Sequence, residues 1–144
     1  MKALSVAPNW GMMILYEYKS IECRSWSTPY RGDLLICTTQ KPTPDCIAGH
    51  ALCVVRLADV VPFKKAHLYD AGMEEVGMPP KGSFAWLLED VRPVRPFRVK
   101  GQQGFFDVDD SLIELLPVDK WTQEESDAWI KANFLPLIYK PARL

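Results

Sequence analysis

The stretch that decides how this chain is read is KSIECRSW, Lys19 to Trp26. Side chains of an extended strand alternate between its two faces. Ile21, Cys23 and Ser25 therefore project to one side and Ser20, Glu22, Arg24 and Trp26 to the other, with Lys19 at the entry. A solvated strand face accommodates an acid and a guanidinium but gives an indole little reason to join them. The expectation is that this face lines a pocket. The plainer alternative is a same-strand ion pair between Glu22 and Arg24, worth little at a surface.

Working outward, Leu4 to Val6 reads as a short extended entry. After Pro8, the residues Trp10, Met13, Ile14 and Glu17 recur at helical spacing and predict a helix with Pro8 in its first turn. Downstream, the turn Thr28 to Gly32 leads into DLLICTT, Asp33 to Thr39, expected as a strand paired with the first. ALCVVRLADVVPF, Ala51 to Phe63, is valine-rich and apolar on both faces, as a central strand would be. Lys64 to Met73 predicts a helix. Phe84 opens a further strand, broken by a proline bend over Arg92 to Pro96; FRVK then resumes and is expected to form a hairpin with FFDVDD through the turn Gly101 to Gly104. Leu112 to Leu116 is a candidate edge strand. Thr122-Gln123-Glu124-Glu125 has the pattern of a capping box and predicts a helix from Gln123 to about Asn133, followed by an apolar-basic tail. The fold class expected is α+β, a small and mostly antiparallel β-barrel with flanking helices.

Composition sets bounds on function. At 144 residues the chain is one domain with appendages, and an apolar fraction of 48% with 24% charged residues excludes disordered and fibrous classes. A net charge of -1 gives no overall field for polyanions, but charge is uneven along the chain. Lys81 to Phe106 carries five cations against two acids, whereas Asp107 to Asp127 carries eight acids against Lys120 alone. Four cysteines without a secretory leader suit a reduced, cytoplasmic setting, and no apolar run is long enough to cross a bilayer.

Other signals have plain readings. Cys46, His50 and Cys53 have no common zinc-finger spacing. Gly101 to Gly104 lacks the strand-loop-helix context of a phosphate-binding loop. Arg92, Arg95 and Arg98 are by default a solvated edge, with a phosphate-tracking ridge as the sharper alternative. No metal or cofactor is expected.

The order of motifs resembles the ASCH family, a branch of the PUA-like superfamily of small β-barrels. The features that carry the likeness are Leu4-Ser5-Val6, Trp10, the spacing Lys19-x-x-Glu22-x-Arg24-x-Trp26, the Arg31-Gly32 turn, Phe84-Ala85-Trp86 and the Lys100 to Gly104 turn. One departure is Pro8-Asn9-Trp10, where relatives have proline directly before the tryptophan. The likeness runs from Met1 to about Val108. It suggests a barrel over residues 1–110 and an extension over 111–144 whose helix packs on the barrel.

The resemblance implies a cleft beside the strand of Glu22, where Lys19, Glu22, Arg24 and Trp26 face RNA, a nucleoside or a nucleotide. The side-chain chemistry agrees. A guanidinium holds phosphate or a base edge bidentately, a carboxylate accepts from an exocyclic amine, and an indole stacks on a base. The alternative is a small hydrolase in the same cleft, an amidohydrolase on acylated cytidine or a ribonuclease, with Glu22 as base and Lys19 as electrostatic stabiliser. Against the amidohydrolase form, Glu22 stands where that branch has a threonine. A third reading is a protein-protein adaptor using the tail.

Overall fold

A computed structural model describes residues 1–142. Six strands, β1 (Lys2–Val6), β2 (Ile21–Arg24), β3 (Gly32–Thr38), β4 (His50–Pro62), β5 (Phe84–Arg98) and β6 (Phe105–Asp107), are joined with two α-helices, α1 (Pro8–Leu15) and α2 (Gln123–Asn133). The strands form one sheet in the order β2-β5-β4-β3-β1-β6. Only β1 and β3 run parallel; the other pairs are antiparallel. The sheet curls until its edges approach each other. Trp26, just past β2, lies edge-on to Trp86 of β5 at 4.6 Å and to Phe105 of β6 at 5.2 Å between ring centroids. Aromatic rings thus close a half-barrel whose edge strands are not hydrogen-bonded to one another.

Burial follows the alternation of each strand. Leu4, Val6, Leu34, Ile36, Val55, Leu57 and Trp86 build the inner core, while Ala3, Leu35, Cys37, Val54 and Phe106 pack on the other side. Each such large apolar side chain contributes about 1.5–3 kcal/mol through burial. All four cysteines are unpaired. Burial pushes the thiols of Cys37 and Cys53 up to about 12, so they act as small hydrophobes.

The α+β class and curled, mostly antiparallel sheet follow the sequence reading, but several pairings do not. β2 does not pair with β3. It sits at the edge against β5, in the register Glu22↔Trp86 and Arg24↔Phe84. β3 is apolar on both faces and needs neighbours on both sides, which β1 and β4 supply. The helix expected over Lys64 to Met73 shrinks to a 3-10 turn, Lys65–His67. Downstream carbonyls instead bind β2 and its entry: Asp70 O accepts from the amides of Ser20 and Ile21. β5 is continuous through the expected proline bend. Ala51 pairs with Phe97 and Cys53 with Pro93, so Pro96 falls within a bulge that leaves the strand intact. The hairpin before FFDVDD is also absent, because the loop after β5 crosses over and delivers β6 to β1, with Leu4 opposite Phe105. Leu112 to Leu116 contributes only one bridge, Val94↔Leu115.

The capping box forms as read. Thr122 Oγ1 accepts from the Glu125 amide at 3.1 Å, and Glu125 Oε2 accepts from the Thr122 amide at 3.3 Å. Because α2 has no buried residue of its own, local terms weigh heavily in holding it. Thr122→Ala is expected to cost about 1 kcal/mol, read as faster amide hydrogen exchange confined to the first turns of α2. Behind the helix, Phe134 is buried with Met12, Ile47 and Leu52, and Trp129 packs beside them. The tail docks through the Tyr139 amide, which donates to Cys46 O at 2.9 Å.

Candidate functional site

The four residues singled out by the sequence divide into two layers. Lys19 and Glu22 form the inner one, with side chains 1% and 6% exposed. Lys19 Nζ donates to Ala71 O at 2.6 Å, lies 3.5 Å from Glu22 Oε1, and sits 4.6 Å from the Trp10 ring centroid. The other carboxylate oxygen, Glu22 Oε2, accepts from Arg24 Nη1 at 3.4 Å. Glu22 is therefore clamped between two cations. Burial lowers the affinity of Lys19 for its proton below the ordinary lysine range, and Glu22 opposes that effect.

Arg24 and Trp26 form the outer layer, each half-buried. Arg24 stands at the junction of two open clefts. One, about 580 Å³, is lined by Arg24, Ser25, Trp26, Gln103, Gly104 and Phe105. The second, about 440 Å³, shares Arg24 and Gln103 and is completed by Ser5, Thr39, Gln40, Lys100, Gly101 and Gln102. Lys19 and Glu22 line neither; they support Arg24 from behind. The guanidinium carbon lies 6.0 Å from the Trp26 ring centroid. Its long contact to Glu22 is its one hydrogen bond among the described residues, leaving most of its five N–H donors for a ligand.

Two further observations mark the second cleft. Ser5 Oγ is buried without a hydrogen-bond partner among the described residues, an uncommon state for a hydroxyl. Gly101 also packs so closely that a Cβ there would lie 2.1 Å from Ser5 Oγ, so the loop touches β1 with backbone alone.

Charge sorts the surface cations. Arg31, Arg56, Arg92 and Arg95 each face a carboxylate, Asp59, Glu89, Asp33 and Glu114 respectively. Arg92 and Arg95 are thereby occupied, so the arginine ridge suggested by their spacing is broken. No Asp or Glu lines either cleft among the described residues, although the chain has 18.

A model of the ASCH domain matches residues 4–141 of the sequence. The chain belongs to the ASCH domain family. The match extends past Val108 and takes in α2. Among solved structures the chain is similar to that of ASCH from Zymomonas mobilis, with a TM-score of 0.59 and 16% identity over 96% of each chain. Two mutants of that protein resemble it as well. A tyrosine-to-phenylalanine form gives a TM-score of 0.55 and 16% identity over 90% of this chain and 96% of the other. A serine-to-alanine form gives 0.57 and 17% over 78% and 96%. At this identity the likeness is one of fold. No curated protein matches the sequence.

Within this ASCH chain, Ser5, Gln103 and Lys100 line the clefts without having been singled out from the sequence as candidate site residues. Ser5 did carry a signal, a lone hydroxyl between Leu4 and Val6 in a strand that is otherwise apolar after Lys2. No helix among the described residues is long and apolar enough to cross a membrane.

Proposed function

We propose that this ASCH domain binds RNA or a nucleotide in the two joined clefts around Arg24. The observation that carries the reading is the placement of that guanidinium. It lies between an aromatic wall, Trp26 and Phe105, and a polar recess containing Lys100 and the unpartnered Ser5 hydroxyl. A base fits against the aromatic wall, a phosphate or base edge against the guanidinium fork, and a ribose hydroxyl or phosphate oxygen against Ser5 and Lys100. Gln102 and Gln103 add amide groups able to pair with base edges.

The hydrolase reading fits less well. A general base must come within hydrogen-bond reach of substrate, and the Glu22 carboxylate lines neither cleft and is held between two cations. The Lys19 ammonium is directed at the Ala71 carbonyl.

Ser5→Ala tests the binding reading in a way that separates function from stability. Removing a buried hydroxyl that lacks a partner is expected to leave folding stability unchanged or raise it by up to about 1 kcal/mol. Affinity for mixed-sequence single-stranded RNA should fall about 3- to 10-fold, equivalent to roughly 0.6–1.4 kcal/mol for a lost hydrogen bond. Chemical denaturation and fluorescence anisotropy read the two effects. Unchanged affinity would remove Ser5 from the site, and a large loss of stability would show that its hydroxyl is bonded within the fold.

A further inference from the structure

We infer that the ligand is a single strand of about three nucleotides, and that a third cleft, remote from Arg24, holds its far end. This rests on the binding reading above and adds to it a ligand class and a second set of contacts. The third cleft, about 550 Å³, is lined by residues that include Gln40, His50, Arg98, Lys100 and Tyr139. It shares Gln40 and Lys100 with the Ser5 cleft, which in turn shares Arg24 and Gln103 with the Trp26 cleft. The three are therefore consecutive parts of one groove. Much of its length follows a single stretch of backbone, Arg98 to Phe105, from the end of β5 to the start of β6.

Three properties of the groove point to a strand. Arg24, Lys100 and Arg98 are spaced along it, and neither Arg98 nor Lys100 makes an ion pair among the described residues. Among the described residues no carboxylate lines any of the three clefts, whereas the other sheet-borne arginines, Arg56, Arg92 and Arg95, are neutralised. Such a cationic track with aromatic groups at its two ends, Trp26 with Phe105 and Tyr139, suits a phosphodiester backbone with bases stacked against rings. The far end also has an oriented imidazole. His50 Nδ1 is 2.7 Å from Ala48 O, a contact that requires the Nδ1–H tautomer in the neutral ring and leaves Nε2 as an acceptor for a ribose hydroxyl or a base amine. Volumes of 440–580 Å³ lie within the range of small-ligand sites, about 300–1,000 Å³, giving room for about one nucleotide per cleft.

A length series tests this directly. Wild type, Arg98→Glu and Arg24→Ala would be titrated with equimolar mixed-sequence ribonucleoside monophosphates, then with mixed-sequence single-stranded RNA of three and six nucleotides, by NMR. Wild-type affinity should rise at least 10-fold from one nucleotide to three and little from three to six. Arg98→Glu should erase that rise and leave monophosphate affinity within about 2-fold, while Arg24→Ala weakens all lengths. If the rise with length survives Arg98→Glu, or wild type shows no rise, the extended groove is refuted even where Arg24→Ala still weakens the monophosphates. If Arg24→Ala changes nothing at any length, the underlying binding reading fails. An RNA duplex that binds as tightly as the six-nucleotide strand would refute the single-strand assignment.

Discussion

Replacing Lys19 with methionine is expected to cost about 3–5 kcal/mol of folding stability, the typical result of removing one member of a buried ion pair. The side chain is 1% exposed, and its ammonium is bonded to Ala71 O at 2.6 Å beside Glu22 at 3.5 Å. Methionine can fill the space over Trp10, but it leaves the Ala71 carbonyl and one side of a nearly buried carboxylate without a donor. Lys19→Met/Glu22→Gln should recover a large part of the loss, because the remaining amide carries no charge to strand. Urea denaturation of the two variants supplies both numbers, and a cost below about 1 kcal/mol for the single change would show that the pair does not hold this corner together.

The pH dependence has a definite sign. Lys19 binds its proton less tightly in the folded protein than in the unfolded chain, because burial outweighs the pull of Glu22. Between the lowered folded value and the ordinary lysine value, the unfolded chain therefore carries more protons, and this residue makes stability rise with pH. Below that window its contribution is constant. Lys19→Met should remove the rising component, so the difference in stability between wild type and variant should widen as pH increases through the window.

The second large effect concerns ligand. Arg24→Ala should weaken binding of single-stranded RNA about 10- to 100-fold, or roughly 1.4–2.7 kcal/mol, the loss expected for a bidentate contact. Because the guanidinium is half-buried and its link to Glu22 is long, the fold should lose far less than in Lys19→Met. If Arg24 contacts one phosphate, the slope of log K against log salt should shrink by about 0.7. Arg24→Lys keeps the charge without the planar fork, so it should preserve the salt slope while recovering only part of the affinity. Anisotropy titrations across a salt series would distinguish these outcomes, and equal affinity for wild type and Arg24→Ala would exclude the guanidinium from the site.

Features set by local chemistry were legible in the sequence. The Thr122 to Glu125 box fixed the start of α2, since reciprocal side-chain and backbone bonds depend only on residues three apart. The alternation of KSIECRSW placed Glu22 and Arg24 together on one face, because a strand has a two-residue period wherever it sits in a sheet, and the register with β5 puts Trp86 and Phe84 beside them. Long-range partners were not legible. Nothing within Ile21–Arg24 indicates whether its edge is offered to β3 or β5, and the prolines of β5 resemble a break until pairing with β4 shows a bulge in β5 that absorbs Pro96.

The site was legible to the same extent. Of the candidates read from spacing, Arg24 and Trp26 line a cleft and Lys19 and Glu22 line neither, while the loop Lys100 to Gly104 joins the cleft only because it crosses from β5 to β6 and settles on Ser5. The two layers of Lys19, Glu22, Arg24 and Trp26 were likewise hidden, since depth depends on α1 and on the segment around Ala71 rather than on the strand itself.

On the proposed binding mode, Arg24, Trp26 and Ser5 meet one ligand together. The most direct measurement is an NMR titration of isotopically labelled protein with mixed-sequence RNA trinucleotides, following the Arg24 side-chain Nε–H, the Trp26 indole N–H and the Ser5 amide. All three signals should move along one saturation curve with a single dissociation constant, while the Trp121 and Trp129 indoles, which line none of the three clefts, stay still. Shifts confined to the Trp121 and Trp129 indoles, or no shift at Arg24 and Trp26 at saturating RNA, would contradict the account.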